Sequence, residues 1–136
     1  MAILEHIHLR PEHMAQIIEH IAGEAPLEAC GIVAGQHDQS LKVYPITNIL
    51  QSPVRYEMDP QQQVRAMIDL EGHGWELLAI YHSHPNGPAA PSPTDINESY
   101  YPEAVYLIFS PEDGEWKCRG FVIDEKQVYE VKITAV

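Results

Sequence analysis

The side chains best suited to chemistry lie in one run, His82-Ser83-His84-Pro85-Asn86-Gly87-Pro88-Ala89-Ala90-Pro91-Ser92-Pro93-Thr94-Asp95. His82 and His84 sit at i and i+2. They follow Leu77-Leu78-Ala79-Ile80-Tyr81, an apolar segment that reads as a strand. Alternate residues of a strand share a face, so both imidazoles can reach one ion. Asp95 supplies a hard oxygen. Two histidines and one carboxylate leave the fourth tetrahedral position open for water, which is the pattern of a catalytic zinc rather than a structural one. The expected metal is therefore Zn2+, with His82, His84 and Asp95 as its ligands.

Part of this run has a second reading that needs no metal. Ser92-Pro93-Thr94-Asp95 is a good helix start, with Ser at the N-cap, Pro at N1 and an acid at N3. The two roles are compatible, because a helix start holds Asp95 in place. A second His-x-His, His6-Ile7-His8, has no carboxylate at a comparable distance and is read as strand sequence.

His-x-His-Pro, six residues, Ser, two residues, Asp resembles the signature of the JAMM/MPN+ metalloproteases, zinc isopeptidases related to deubiquitinases. His82, His84, Pro85, Ser92 and Asp95 match it without gap or substitution. An upstream Glu-x-Cys-Gly context is met by Glu28-Ala29-Cys30-Gly31, and Tyr81 and Met58-Asp59-Pro60 are similar flanking pieces. The resemblance implies an α+β (α/β) fold of JAMM/MPN type, related to cytidine deaminases. Its sheet would be curved, mixed and mostly antiparallel, flanked by helices, with zinc at its edge.

The resemblance also implies roles. Glu28 would be the general base and proton carrier, Ser92 would donate a hydrogen bond to the developing oxyanion, and Pro85 would stiffen the ligand loop. By residue pattern alone Glu28 reads rather as a strand-end surface glutamate; the resemblance reverses that reading, and Glu24 is its rival as the base. The chain is similar to the compact prokaryotic members, which act after the Gly-Gly C-terminus of ubiquitin-like or sulfur-carrier proteins, releasing cysteine, an extension or a conjugated protein. Backbone near Gln51–Tyr56 would accept that tail as an added strand. Two other readings remain: a RadC-like DNA-associated protein, which carries a similar motif, and a non-catalytic MPN-type scaffold, whose members typically lose ligands that are all present here. A zinc deaminase would need a Cys-x-x-Cys pair, which is missing.

Composition narrows these choices. The formal net charge is −12 over 136 residues, which argues against sequence-independent nucleic-acid binding. No apolar run approaches the roughly 20 residues that span a bilayer, and the first residues lack a signal-peptide pattern. Neither membrane nor nucleic acid is expected as a partner, and a cytoplasmic location is the default. Cys30 and Cys118 form no Cys-x-x-Cys, so a disulfide framework is not expected and Cys30 is read as a small buried residue.

The elements that must position these residues read as a single domain, 1–136. Strands are predicted over Ile3–Leu9, Leu27–Gly35, Leu41–Leu50, Trp75–His84, Ala104–Phe109, Trp116–Ile123 and Val128–Ile133. Helices are predicted over Pro11–Ala22, from Asp59-Pro60 to about Leu70, and over Pro93–Tyr100. Gln51–Glu57 reads as an irregular edge piece because of Pro53.

Overall fold

Strand β1 (His6–His8) is three residues long yet pairs in parallel with two partners, and this closes the sheet. The computed structural model describes residues 4–135. After β1 come α1 (Pro11–Glu24), β2 (Cys30–Gln36), β3 (Gln39–Ile46), α2 (Pro60–Gly72) and β4 (Glu76–Ser83). Then follow α3 (Pro93–Asn97), β5 (Val105–Glu112), β6 (Glu115–Asp124) and β7 (Gln127–Thr134). The order around the sheet is β1-β3-β2-β4-β5-β6-β7.

The architecture is the expected mixed α+β class. The β2/β3, β2/β4, β5/β6 and β6/β7 ladders are antiparallel, while β4/β5 and both β1 ladders are parallel. β1 bridges β3 and β7 and so closes the sheet, but it meets β3 only at His8↔Gln39, and Ser40–Ile46 of β3 pair with β2 alone. The site-bearing strand β4 is interior, between β2 and β5.

Each face of the sheet carries its own core. Ile17 and Ile21 of α1 pack with Ala29, Val33, Tyr81, Leu107 and Phe109 on one side. Ala66 and Leu70 of α2 pack with Cys30, Ile32, Ile80 and Tyr106 on the other. Period-two alternation along β4 sends Tyr81 to the α1 side and Ile80 to the α2 side, so His82 emerges beneath α2 with Cys30 as its cross-strand neighbour.

Most predicted elements are found within a few residues, and the departures have local causes. Of the predicted first strand, Ile3 lies outside the described residues. Helix α1 runs through Gly23 to Glu24 and stops where Ala25 turns extended, at ψ 139°, as the residue before Pro26 must. Helix α3 ends at Asn97 rather than Tyr100. Strand β3 ends at Ile46, and only the bridge Asn48↔Met58 continues the pairing. Gln51–Tyr56 is a loop, not a strand edge: Gln51 has φ 47° and Pro53 has no N–H to give a ladder. No helix of the described residues is long and apolar enough to cross a membrane.

Candidate metal centre

Three side-chain atoms meet at the end of β4. Nε2 of His82 lies 3.0 Å from Nε2 of His84, and Asp95 Oδ2 lies 3.2 Å and 3.1 Å from them. Donors held about 2.0–2.1 Å from a tetrahedral ion are about 3.3–3.4 Å apart, so this triangle is close to the size such an ion needs. The chemistry of the donors agrees. His84 Nδ1 bonds the Pro88 carbonyl at 2.7 Å, so its proton sits on Nδ1 and Nε2 presents a lone pair. Two imidazole nitrogens and an anionic oxygen therefore converge with too few protons to satisfy them, and a divalent cation fits that set. His82 Nδ1 is buried with no hydrogen-bond partner.

Local structure fixes each donor. Strand alternation aims His82 and His84 the same way. Asp95 is set by a complete capping box: its N–H donates to Ser92 Oγ at 3.0 Å, and the Ser92 N–H donates to Asp95 Oδ2 at 2.8 Å. The helix-start reading of Ser92-Pro93-Thr94-Asp95 holds, and the cap leaves Asp95 Oδ2 facing both histidines. The Ser92 hydroxyl accepts the cap bond, which leaves its proton for another acceptor.

Glu28 reaches the same place from the residues before β2. It is 4% exposed, and it offers an oxygen within 4.8 Å of donor atoms on both His82 and His84. Asp95 is the carboxylate in direct contact with both nitrogens, and Glu28 stands beside that triangle at longer range. Glu24 is exposed at the end of α1. His6 and His8 face a separate hollow with His37 and Asp38. Among the described residues, Glu28 also lies close enough to His82 and His84 to share an ion with them.

Burial and charge separate the two carboxyls. Burial drives Glu28 up to about 7; His84 opposes the rise and Asp95 adds to it. Asp95 is also pushed up by burial, but the hydrogen bonds from His82 and His84 outweigh it and hold the group well below the usual carboxylate range. Burial lowers His82. For His84 burial works the same way, but bonds to Asp95 and the Pro88 carbonyl win and raise it. One carboxyl stays ionised and the other is poised near neutrality, the division that acid–base chemistry uses.

Three residues escape a reading by motif. Ser83 is fully buried between the two histidines; its Oγ accepts the Ala29 N–H at 2.8 Å, and its N–H donates to the Ala29 carbonyl at 3.0 Å. A polar residue inside an apolar strand is the signal that could have found it. The Tyr56 ring stacks on His82 at 4.6 Å between centroids. Asn48 is a buried amide just past β3. A cleft of about 350 Å³ opens beside Tyr56, walled in part by Met58, Tyr100, Tyr101 and Tyr106. Gly31 is structural: an added Cβ would lie 2.2 Å from the Tyr81 ring, whose hydroxyl is bonded to His20 Nδ1 at 2.7 Å. Burial pushes the Cys30 thiol up to about 12, so it stays protonated and inert.

The family model for prokaryotic homologs of the JAB domain matches residues 10–119. The chain belongs to this JAB-domain family. The JAMM/MPN resemblance of its motif is thereby borne out. This JAB domain is 37% identical over 110 residues to a desampylase of Haloferax volcanii, covering 79% of this chain and 78% of the relative. It is 43% identical over 109 residues to a probable TtuB-protein conjugate cleaving protease of Thermus thermophilus, with 79% and 70% covered. It is 32% identical over 131 residues to a CysO-cysteine peptidase of Mycobacterium tuberculosis, with 94% and 90% covered. The solution structure of a Desulfitobacterium hafniense protein superposes with a TM-score of 0.84 at 36% identity, covering 96% of this chain and 92% of that one.

Proposed function

We propose that this JAB domain is a zinc-dependent peptidase or isopeptidase. It hydrolyses the bond that follows the Gly-Gly C-terminus of a ubiquitin-like or sulfur-carrier protein. The observation that carries the reading is the convergence of His82, His84 and Asp95 within 3.2 Å of one another, with buried Glu28 beside them. The relatives support the substrate class: one is a desampylase, one a TtuB-conjugate protease, one a CysO-cysteine peptidase.

His82, His84 and Asp95 would hold the zinc. When bound, zinc supplies Lewis acidity, polarising the scissile carbonyl and lowering the pKa of a water at the open position. Glu28 takes the proton of the attacking water and passes it to the nitrogen of the leaving amine as the C–N bond breaks. Its elevated pKa suits a group that must accept and then release one proton near neutral pH. The Ser92 hydroxyl donates a hydrogen bond to the carbonyl oxygen as charge develops there. An inert scaffold would have no use for a carboxyl buried beside an intact donor triangle. The carrier tail would run along the loop of residues 49–57 and the tyrosine-lined cleft, which lie beside Tyr56 and His82. The acidic chain and the absence of a membrane-crossing helix among the described residues agree with a protein partner.

The test is direct. The zinc-loaded protein is incubated with a carrier extended beyond its Gly-Gly end, and the products are weighed by mass spectrometry. Release of a carrier ending in Gly-Gly is expected. Replacing the last glycine by a bulky residue should abolish cleavage with zinc content unchanged. Equal cutting of generic unfolded peptides would overturn the substrate class.

A further inference from the structure

In the loop between β3 and α2 one buried side chain ties together backbone from three segments. Asn48 is 9% exposed, and its amide makes four hydrogen bonds. Its Nδ2 donates to the carbonyls of Glu28 and Arg55, each at 3.0 Å. Its Oδ1 accepts from the N–H groups of Leu50 and Glu57, each at 3.1 Å. That uses both donors and both acceptor lone pairs of the amide. The loop is thus pinned near both ends, and the same side chain anchors the backbone of Glu28. Glu28 is tied back by its own N–H, which donates to the Ser52 carbonyl at 2.8 Å. Between the pinned carbonyl of Arg55 and the pinned N–H of Glu57 sits Tyr56, whose ring lies on His82.

We propose that Asn48 is a positioning residue for the hydrolysis: it holds Glu28 and the cleft-lining loop in one fixed relation to the metal centre. This rests on the reading of Glu28 as the general base. The amide suits the task for a physical reason. Two carbonyls and two N–H groups from separate segments converge on one buried point, and a single planar group with two donors and two acceptors satisfies all four. No other side chain of that size does so. A displacement on the order of 1 Å in a reacting group costs up to about a hundredfold in rate, so an anchor on the Glu28 backbone acts on turnover rather than on binding.

Two full-length variants separate the anchor from the loop. Asn48→Asp keeps the shape and the acceptor bonds to Leu50 and Glu57, loses both donor bonds, and sets an anion against the Glu28 carbonyl. Asn48→Ala loses all four bonds. For Asn48→Asp the expected result is one zinc per chain as in wild type, slow exchange of the Leu50 and Glu57 amides, KM within about threefold, and kcat lower by roughly ten- to a hundredfold. Asn48→Ala should lose turnover similarly, raise KM as well, and exchange those two amides quickly. Glu28→Gln is measured in parallel. A kcat within twofold of wild type in Asn48→Asp, with or without a fall in melting temperature, overturns the proposal. So does loss of zinc in step with activity. An inactive Glu28→Gln beside an active Asn48→Asp removes the role of Asn48 alone, whereas an active Glu28→Gln removes the reading of Glu28 and the role of Asn48 with it. If Asn48→Ala does not fold, the isosteric aspartate decides.

Discussion

The Asp95 oxygen that faces His82 and His84 also accepts the Ser92 N–H, at 2.8 Å. The atom that closes the helix cap is also the proposed metal donor. The cap bond holds the carboxylate in orientation whether or not an ion is present, so part of the ordering cost of binding is already met by the fold.

Removing that atom should remove the metal. Asp95→Ala and His82→Ala are each expected to lower bound zinc from about one per chain to near zero at micromolar protein. The thermal stabilisation that zinc gives the wild type should vanish with it, because a ligand stabilises only the state that binds it. Wild-type zinc content in the double variant would refute the ligand assignment. Elemental analysis and melting curves with and without chelator measure both.

Glu28 should behave differently from the ligands. Glu28→Gln is expected to keep zinc and lose turnover by about 10²–10⁴, the usual contribution of a positioned base. Glu24→Gln, altered on the exposed end of α1, should remain near wild type. The reverse pattern would mean that the wrong carboxylate carries the proton. Steady-state rates on the carrier adduct, normalised to zinc content, decide it.

The pH dependence of the metal-free protein follows from the same group. Glu28 titrates at about 7 folded, against 4.5 as its ordinary value. Its protonated form therefore favours the folded state. That contribution is complete below the ordinary value and is lost as pH rises through 7, amounting to on the order of 3 kcal/mol. Asp95 acts in the opposite sense: held low by the histidines, it contributes above its ordinary 3.8 and loses that contribution as pH falls below it. Urea midpoints of metal-free wild type should thus fall between about pH 5 and pH 8, and those of Glu28→Gln should fall less. Parallel curves for the two proteins would show that Glu28 titrates normally.

Ser92→Ala separates catalysis from capping. Loss of the oxyanion donor should cost about 10²–10³ in kcat, and loss of the cap about 1 kcal/mol in stability. The Ser92 N–H remains in the variant, so Asp95 keeps its backbone bond and zinc should stay bound. A melting shift with full activity would leave Ser92 as a cap and nothing more.

The donor triangle was legible in the chain because it is local. His82 and His84 are related by strand periodicity, and Asp95 follows by a cap pattern a few residues on. Glu28 was reachable by family pattern but not by periodicity, since its place depends on β2 lying antiparallel to β4 with Cys30 opposite His82. Asn48 reads in sequence as an ordinary polar residue near the end of a strand. Its four partners come from Glu28, Leu50, Arg55 and Glu57, and only the folded loop brings them together. Helix and strand positions were readable from hydrophobic period, but sheet closure was not, because His6–His8 has no compositional mark of a strand with two partners.

That closure joins strands from opposite ends of the described residues. His6 pairs with Lys132 and His8 with Thr134, so the first strand finds its partner almost a full chain length away. During synthesis β1 leaves the ribosome early and must wait for β7. Until then β3 and β7 present open strand edges, and the nascent chain is exposed to pairing with its neighbours. Pairing between strands so far apart in sequence requires closing a long loop, a step that slows folding in proteins generally.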